Sequence, residues 1–130
     1  MCIRDRSYVA RRVQAGLNSR KKPVNGSTIV VLGVAYKKNC NDARETPATP
    51  LIEELLSLGA TVQLHDRHVD DYVLDELVER VELTETVLRQ ADAVIVVTDH
   101  DDVDYARVSR LASYVFDARN RLAEHQAEKL

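Results

Sequence analysis

Two cations frame the stretch of this 130-residue chain in which chemistry is concentrated. Lys37 closes the run Ile29-Val-Val-Leu-Gly-Val-Ala-Tyr-Lys37, and Arg44 stands just ahead of Glu45-Thr-Pro47. The β-branched run before Gly33 reads as a buried strand, and the residues around Leu51 as an amphipathic helix. Thr46-Pro47 or Thr49-Pro50 can act as an N-cap followed by proline at the first helical position. Either pair leaves free backbone N–H groups and the positive end of the helix dipole facing the loop. A lysine point charge, an arginine fork and a helix N-terminus together suit a diphosphate. The competing account is that Lys37 and Arg44 are solvated or pair with Asp42 and Glu45. Residue types and spacing leave both accounts open.

The loop is not the usual dinucleotide fingerprint. Gly33 stands alone, because residues 35 and 38 are Ala and Lys rather than the later glycines of G-x-G-x-x-G. No Gly-Lys-Ser/Thr follows, so it is not a P-loop either. Asp66, at the end of a second strand, stands where a ribose-binding acid would, but the match is weak without the glycines. His65, Asp66, His68 and His100 make a weak metal pattern with no further partner, and a hydrogen-bonding histidine at a strand end is the better account. Asp99, Asp101, Asp102 and Asp104 are explained by a solvated loop and a helix N-terminus; the spacing of a calcium loop is absent. Cys40 has cations on both sides, which favour a thiolate. Its place inside a strand-to-helix loop makes it a bystander rather than a nucleophile.

Alternating strands and helices must position these residues. The spacing predicts a helix over 7–19, with Val9, Val13 and Leu17 on a narrow stripe. Strands follow at Thr28–Leu32 and Thr61–His65. Between them runs a helix stripe of Leu51, Ile52, Leu55, Leu56 and Leu58, ending at Gly59 as an αL cap. Residues 70–80 carry the spacing of a short helix. Thr84 caps another over 84–90, Ala93–Val97 is an apolar strand, 104–111 a helix and Tyr114–Phe116 a last strand. This order implies parallel βαβ units and an open α/β sheet covered on both faces. Ligands of such sheets sit beyond the carboxyl ends of the strands. That edge here comprises the loops 33–46, 66–69, 98–103 and 117–121.

Composition narrows the class. An apolar fraction of 45% and a charged fraction of 30% are those of an ordinary soluble domain. No apolar run approaches the roughly 20 residues of a membrane helix. Cys2 and Cys40 make no disulfide framework, which points to a reducing cytoplasm. Residues 1–22 hold seven cations against Asp5 alone, within a net charge of −3. Without interleaved aromatics, and with an acidic remainder, this arm reads as a solvated helix face rather than a nucleic-acid surface. Tyr8, Tyr72, Tyr105 and Tyr114 read as core or interface residues.

The segment Val31-Leu-Gly-Val-Ala-Tyr-Lys37 through Asp42-Ala-Arg-Glu-Thr-Pro47 resembles the start of the C-terminal UDP-binding domain of the UDP-glucose/GDP-mannose dehydrogenase family. The likeness continues through Gly59-Ala-Thr-Val, His65-Asp66, Ala91-Asp-Ala-Val, Thr98-Asp-His100 and Phe116-Asp-Ala-Arg-Asn120. Tyr8-Val9 to Lys22 resembles the end of the long helix before that domain; residues 1–6 match nothing in it. The resemblance implies a Rossmann-like open parallel sheet with helices on both faces. Residues 1–25 would be the end of an inter-domain linker helix, and 26–130 the UDP-sugar-binding domain. Tyr36, Lys37 and Arg119 match substrate-binding positions, and Arg44 an arginine that reaches NAD. Asp117 would orient Arg119.

The family oxidises the sugar C6 alcohol to a carboxylate, with NAD held mainly by an N-terminal domain and a catalytic cysteine upstream of this one. The resemblance therefore implies a C-terminal fragment of a UDP-sugar 6-dehydrogenase, with no catalytic residue and no metal of its own, inactive alone. It also implies a cytoplasmic homodimer in the full-length enzyme and a role in making surface polysaccharide. Tyr36, where phenylalanine is also common, hints at an N-acetylhexosamine substrate. Asp66 is followed by Arg67 and His68, where the family often has Asp-Pro-Tyr after the histidine. The alternative is a stand-alone nucleotide-binding or oligomerisation module without catalysis.

Overall fold

The computed structural model describes residues 3–33, 48–67, 78–98, 100–101, 103–118 and 128–129. In chain order the elements are α1 (Ile3–Ser19), β1 (Thr28–Leu32), α2 (Ala48–Ser57), β2 (Thr61–His65), β3 (Val78–Arg80), α3 (Glu85–Gln90), β4 (Ala93–Val96), α4 (Tyr105–Leu111), β5 (Val115–Asp117) and β6 (Glu128–Lys129). The strands form one sheet in the order β3-β2-β1-β4-β5-β6. Every pairing is parallel, with Leu32 opposite His65 on one side and Val96 on the other. This is the Rossmann-like α/β fold expected from the alternation of elements.

Side chains alternate across a strand, and both faces of this sheet are apolar. Ile29, Val31, Val62, Leu64, Ile95 and Phe116 pack on one face with Val9, Val13 and Leu17 of α1 and Leu51, Ile52 and Leu55 of α2. Val30, Leu32, Val94, Val96 and Val115 pack on the other with Leu88 of α3 and Tyr105 and Val108 of α4. Each large side chain fully withdrawn from water contributes about 1.5–3 kcal/mol. The sequence stripe of α1 is narrow, yet it lies wholly in this core. Tyr114 meets α1 where Gly16 leaves room: a Cβ there would fall 2.3 Å from the ring.

Arg12 of α1, and Arg20 and Lys22 just after it, are tied to the fold. Arg20 lies 4.4 Å over the Tyr114 ring and Arg12 5.4 Å over Phe116. Lys22 reaches Asp92 at 3.1 Å. Asp92 also accepts the Thr28 N–H at 2.8 Å, joining the start of β4 to the start of β1.

Three local expectations change. Val78–Arg80, within the stretch expected as helix over 70–80, is a strand; residues 68–77 lie outside the described residues. Val78 pairs with Val62, and a three-residue exposed edge strand is too short for its alternation to register. The last core strand is shifted by one residue, since Tyr114 precedes it. Thr49 and Pro50 lie inside the first turn of α2, so they are not its cap; Pro50 is tolerated there because its missing N–H has no intrahelical partner to lose. Thr46-Pro47 lies outside the described residues. Two other caps are as expected: Thr84 accepts from the Val87 N–H, and Gly59 ends α2 at φ +90°; Asp104, expected within its helix, instead caps α4 by accepting from the Arg107 N–H.

Candidate functional site

Chain order along the sheet reverses between β1 and β4, so the carboxyl ends of these two strands flank the crevice where such folds bind ligands. Gly33 ends β1 there. Its φ is +90°, and a Cβ would fall 2.5 Å from both the Thr98 Cβ and the Thr98 carbonyl oxygen. Backbone bonds fix the approach: the Gly33 N–H donates to the His65 carbonyl, and the Val97 and Thr98 N–H groups donate to the Leu32 carbonyl. Glycine is therefore required at 33 for two reasons, backbone sign and space.

The segment carrying Tyr36, Lys37, Cys40 and Arg44 leaves from this point and ends at the N-terminus of α2. Its residues, and Arg119, lie outside the described residues. Their attachment points do not. Gly33 stands at the crevice, α2 begins at Ala48, and Ala118, one residue before Arg119, donates its N–H to the Val96 carbonyl at 3.1 Å. Asp117, just inside it, is fully buried at the end of β5. The three attachment points thus lie at one edge of the sheet.

At the same edge a buried polar network links four elements. Asp66 follows β2 and His100 follows β4; both are almost fully buried. His100 Nε2 lies 2.9 Å from Asp66 Oδ2. With the carboxylate ionised, Oδ2 accepts and Nε2–H donates. Arg80 of β3 donates to the Asp66 carbonyl at 2.6 Å, and the Tyr105 hydroxyl of α4 to the His100 carbonyl at 2.7 Å. His65 turns away from this group and donates its Nδ1–H to the Val81 carbonyl at 2.9 Å, as a histidine at a strand end does. His68 lies outside the described residues. Among the described residues no three His, Cys, Asp or Glu side chains converge as metal ligands.

The network answers the ribose question. A ribose-binding acid must present its carboxylate to the crevice. Asp66 instead turns an oxygen to a buried imidazole, so it is spent inside the protein. Sequence reasoning grouped Asp66 and His100 only within a weak metal pattern and missed the hydrogen bond that joins them. Beside it is a cavity of about 460 Å³ lined by Asp66, Arg67, Arg80, Val81 and Glu82. Two of these, Arg67 and Glu82, form an exposed ion pair of 3.1 Å. A larger cavity of about 580 Å³, between α1 and the Lys22–Asn25 turn, lies at the opposite edge, away from the crevice.

Residues 30–124 match the model of the UDP-glucose/GDP-mannose dehydrogenase family, UDP binding domain. The chain belongs to this family. It is 34% identical over 133 aligned residues to a UDP-N-acetyl-D-mannosamine dehydrogenase of Methanococcus maripaludis, covering 95% of the chain and 29% of that protein. It is 33% identical to a UDP-glucose 6-dehydrogenase of Bacillus subtilis, covering 85% of the chain and 27% of the relative. Among solved structures, the NDP-N-acetyl-D-galactosaminuronic acid dehydrogenase of Methanosarcina mazei superposes with a TM-score of 0.79 at 27% identity, over 93% of this chain and 26% of that one. The UDP-glucose dehydrogenase of Pyrobaculum islandicum gives 0.69 at 28%, over 95% and 29%. This UDP-binding-domain chain thus spans less than a third of the length of these relatives.

Proposed function

We propose that the chain binds a UDP-sugar at the β1/β4 crevice and serves as the UDP-binding domain of an NAD-dependent UDP-sugar 6-dehydrogenase. One observation carries the reading. The Tyr36–Arg44 segment leaves the sheet at its topological switch point and returns at the N-terminus of a ten-residue helix. That N-terminus offers free N–H groups and a partial positive charge, which favour a diphosphate. Lys37 neutralises the diphosphate, and Tyr36 and Arg119 bind the sugar nucleotide. Arg44 reaches toward NAD, which a separate nucleotide domain holds. In the complete enzyme the oxidation of the C6 alcohol to a carboxylate would release two hydrides, taken up by two NAD, and consume one water; this domain holds and orients the sugar nucleotide. Residues 26–130 form the binding unit and 1–25 the helix leading into it.

Calorimetric titration of the 130-residue chain with UDP tests this. A charge-assisted contact contributes about 1.5–3 kcal/mol, so Lys37→Ala should weaken UDP by roughly 10–100-fold. Arg44→Ala should leave UDP binding nearly intact. Equal binding by Lys37→Ala would remove the assignment of Lys37, and a large loss in Arg44→Ala would return that residue to the diphosphate.

A further inference from the structure

The crevice is set by more than its strands. β1 lies between β2 and β4, and the residues just past those two flanking strands meet over its end. Asp66 comes directly after β2, His100 four residues after β4, and their side chains join at 2.9 Å. The bond therefore crosses the carboxyl end of β1. Gly33 follows β1 at that end, held by its N–H to the His65 carbonyl and pressed against Thr98. Arg80 anchors the bridge to β3 and Tyr105 anchors it to α4.

We infer that the Asp66–His100 bridge is a positioning device that fixes the exit of β1, and so the point from which Tyr36 and Lys37 are presented to the nucleotide. A polar pair buried this deeply is costly unless satisfied. Apolar residues of similar volume would fill the space without that cost, but would not tie two loops at a fixed distance. A directional bond over a backbone crossing does so. Fixing a loop before its ligand arrives lowers the ordering cost of binding. The inference rests on the UDP-binding reading for its consequence, but not for its geometry.

The two are separable by experiment. The 15N-labelled chain is compared with His100→Ala, His100→Asn and His100→Gln by amide hydrogen exchange without ligand, then by titration with UDP. Glutamine carries its amide nitrogen the same number of bonds from Cα as imidazole Nε2; asparagine stops one bond short. His100→Ala and His100→Asn should speed exchange of the Gly33 and Thr98 amides at least tenfold. The Ile29 and Val94 amides, deeper in the sheet, should be unchanged. His100→Gln should restore most of the protection. UDP affinity should fall at least tenfold in the first two variants and recover in the third. Unchanged Gly33 and Thr98 exchange in His100→Ala, uniform acceleration across the sheet, or identical behaviour of Gln and Asn would each overturn the bridge as a positioning device. If the exchange pattern appears as expected while the parent chain binds no UDP, the bridge stands and the UDP reading falls.

Discussion

Gly33→Ala tests the approach of β1 and β4 most directly, because Gly26 supplies an internal control. Both glycines have positive φ, +90° and +85°. Around Gly26 an added Cβ meets nothing within 4 Å, whereas at Gly33 it meets the Thr98 Cβ and carbonyl oxygen, each at 2.5 Å. A left-handed backbone costs an L-residue about 1–2 kcal/mol, and Gly26→Ala should lose that much. At Gly33 the Thr98 backbone cannot withdraw without breaking its N–H bond to the Leu32 carbonyl. Overpacking adds about 1–3 kcal/mol, for a total loss of about 2–5 kcal/mol. For a domain of this size the melting midpoint should fall by roughly 8–20 °C. Urea unfolding of both variants, followed by far-ultraviolet circular dichroism, measures the difference. If Gly33→Ala is no less stable than Gly26→Ala, the close approach at the crevice is wrong.

Two further substitutions probe opposite ends of the sheet. Phe116 is fully buried between the sheet and α1, and Phe116→Ala should cost about 3–5 kcal/mol in urea unfolding; a loss under 1 kcal/mol would contradict its place in the core. Asp92→Ala removes the acceptor of the Thr28 N–H and the partner of Lys22; it should cost about 1 kcal/mol, with UDP affinity unchanged because it lies at the edge away from the crevice.

Much of the fold was legible in the chain because hydrophobic period and end signals agree locally. Thr28–Leu32 and Thr61–His65 are continuous or alternating apolar runs, and both are strands with those bounds. Thr84 is a capping residue ahead of apolar spacing, and it caps a helix. The elements that were missed have little local signal. β3 holds one apolar residue, Val78, and β6 holds none; backbone pairing to β2 and β5 defines them. The fate of α1 was also underdetermined, since three buried positions on a stripe do not reveal what covers them.

The sequence by itself determined the class of sheet and, through the motif from Val31 to Pro47, the family. These depend on residue type and on spacing within one segment, which local sterics and burial translate directly into strand, turn and helix. Tertiary structure alone decided what Asp66 and His100 do. Thirty-four residues separate them in the chain, and nothing local to either selects the other; only parallel pairing of β2 and β4 on the two sides of β1 brings them together. The same pairing turns Gly33 from a lone glycine in an incomplete fingerprint into a position with no room for a side chain.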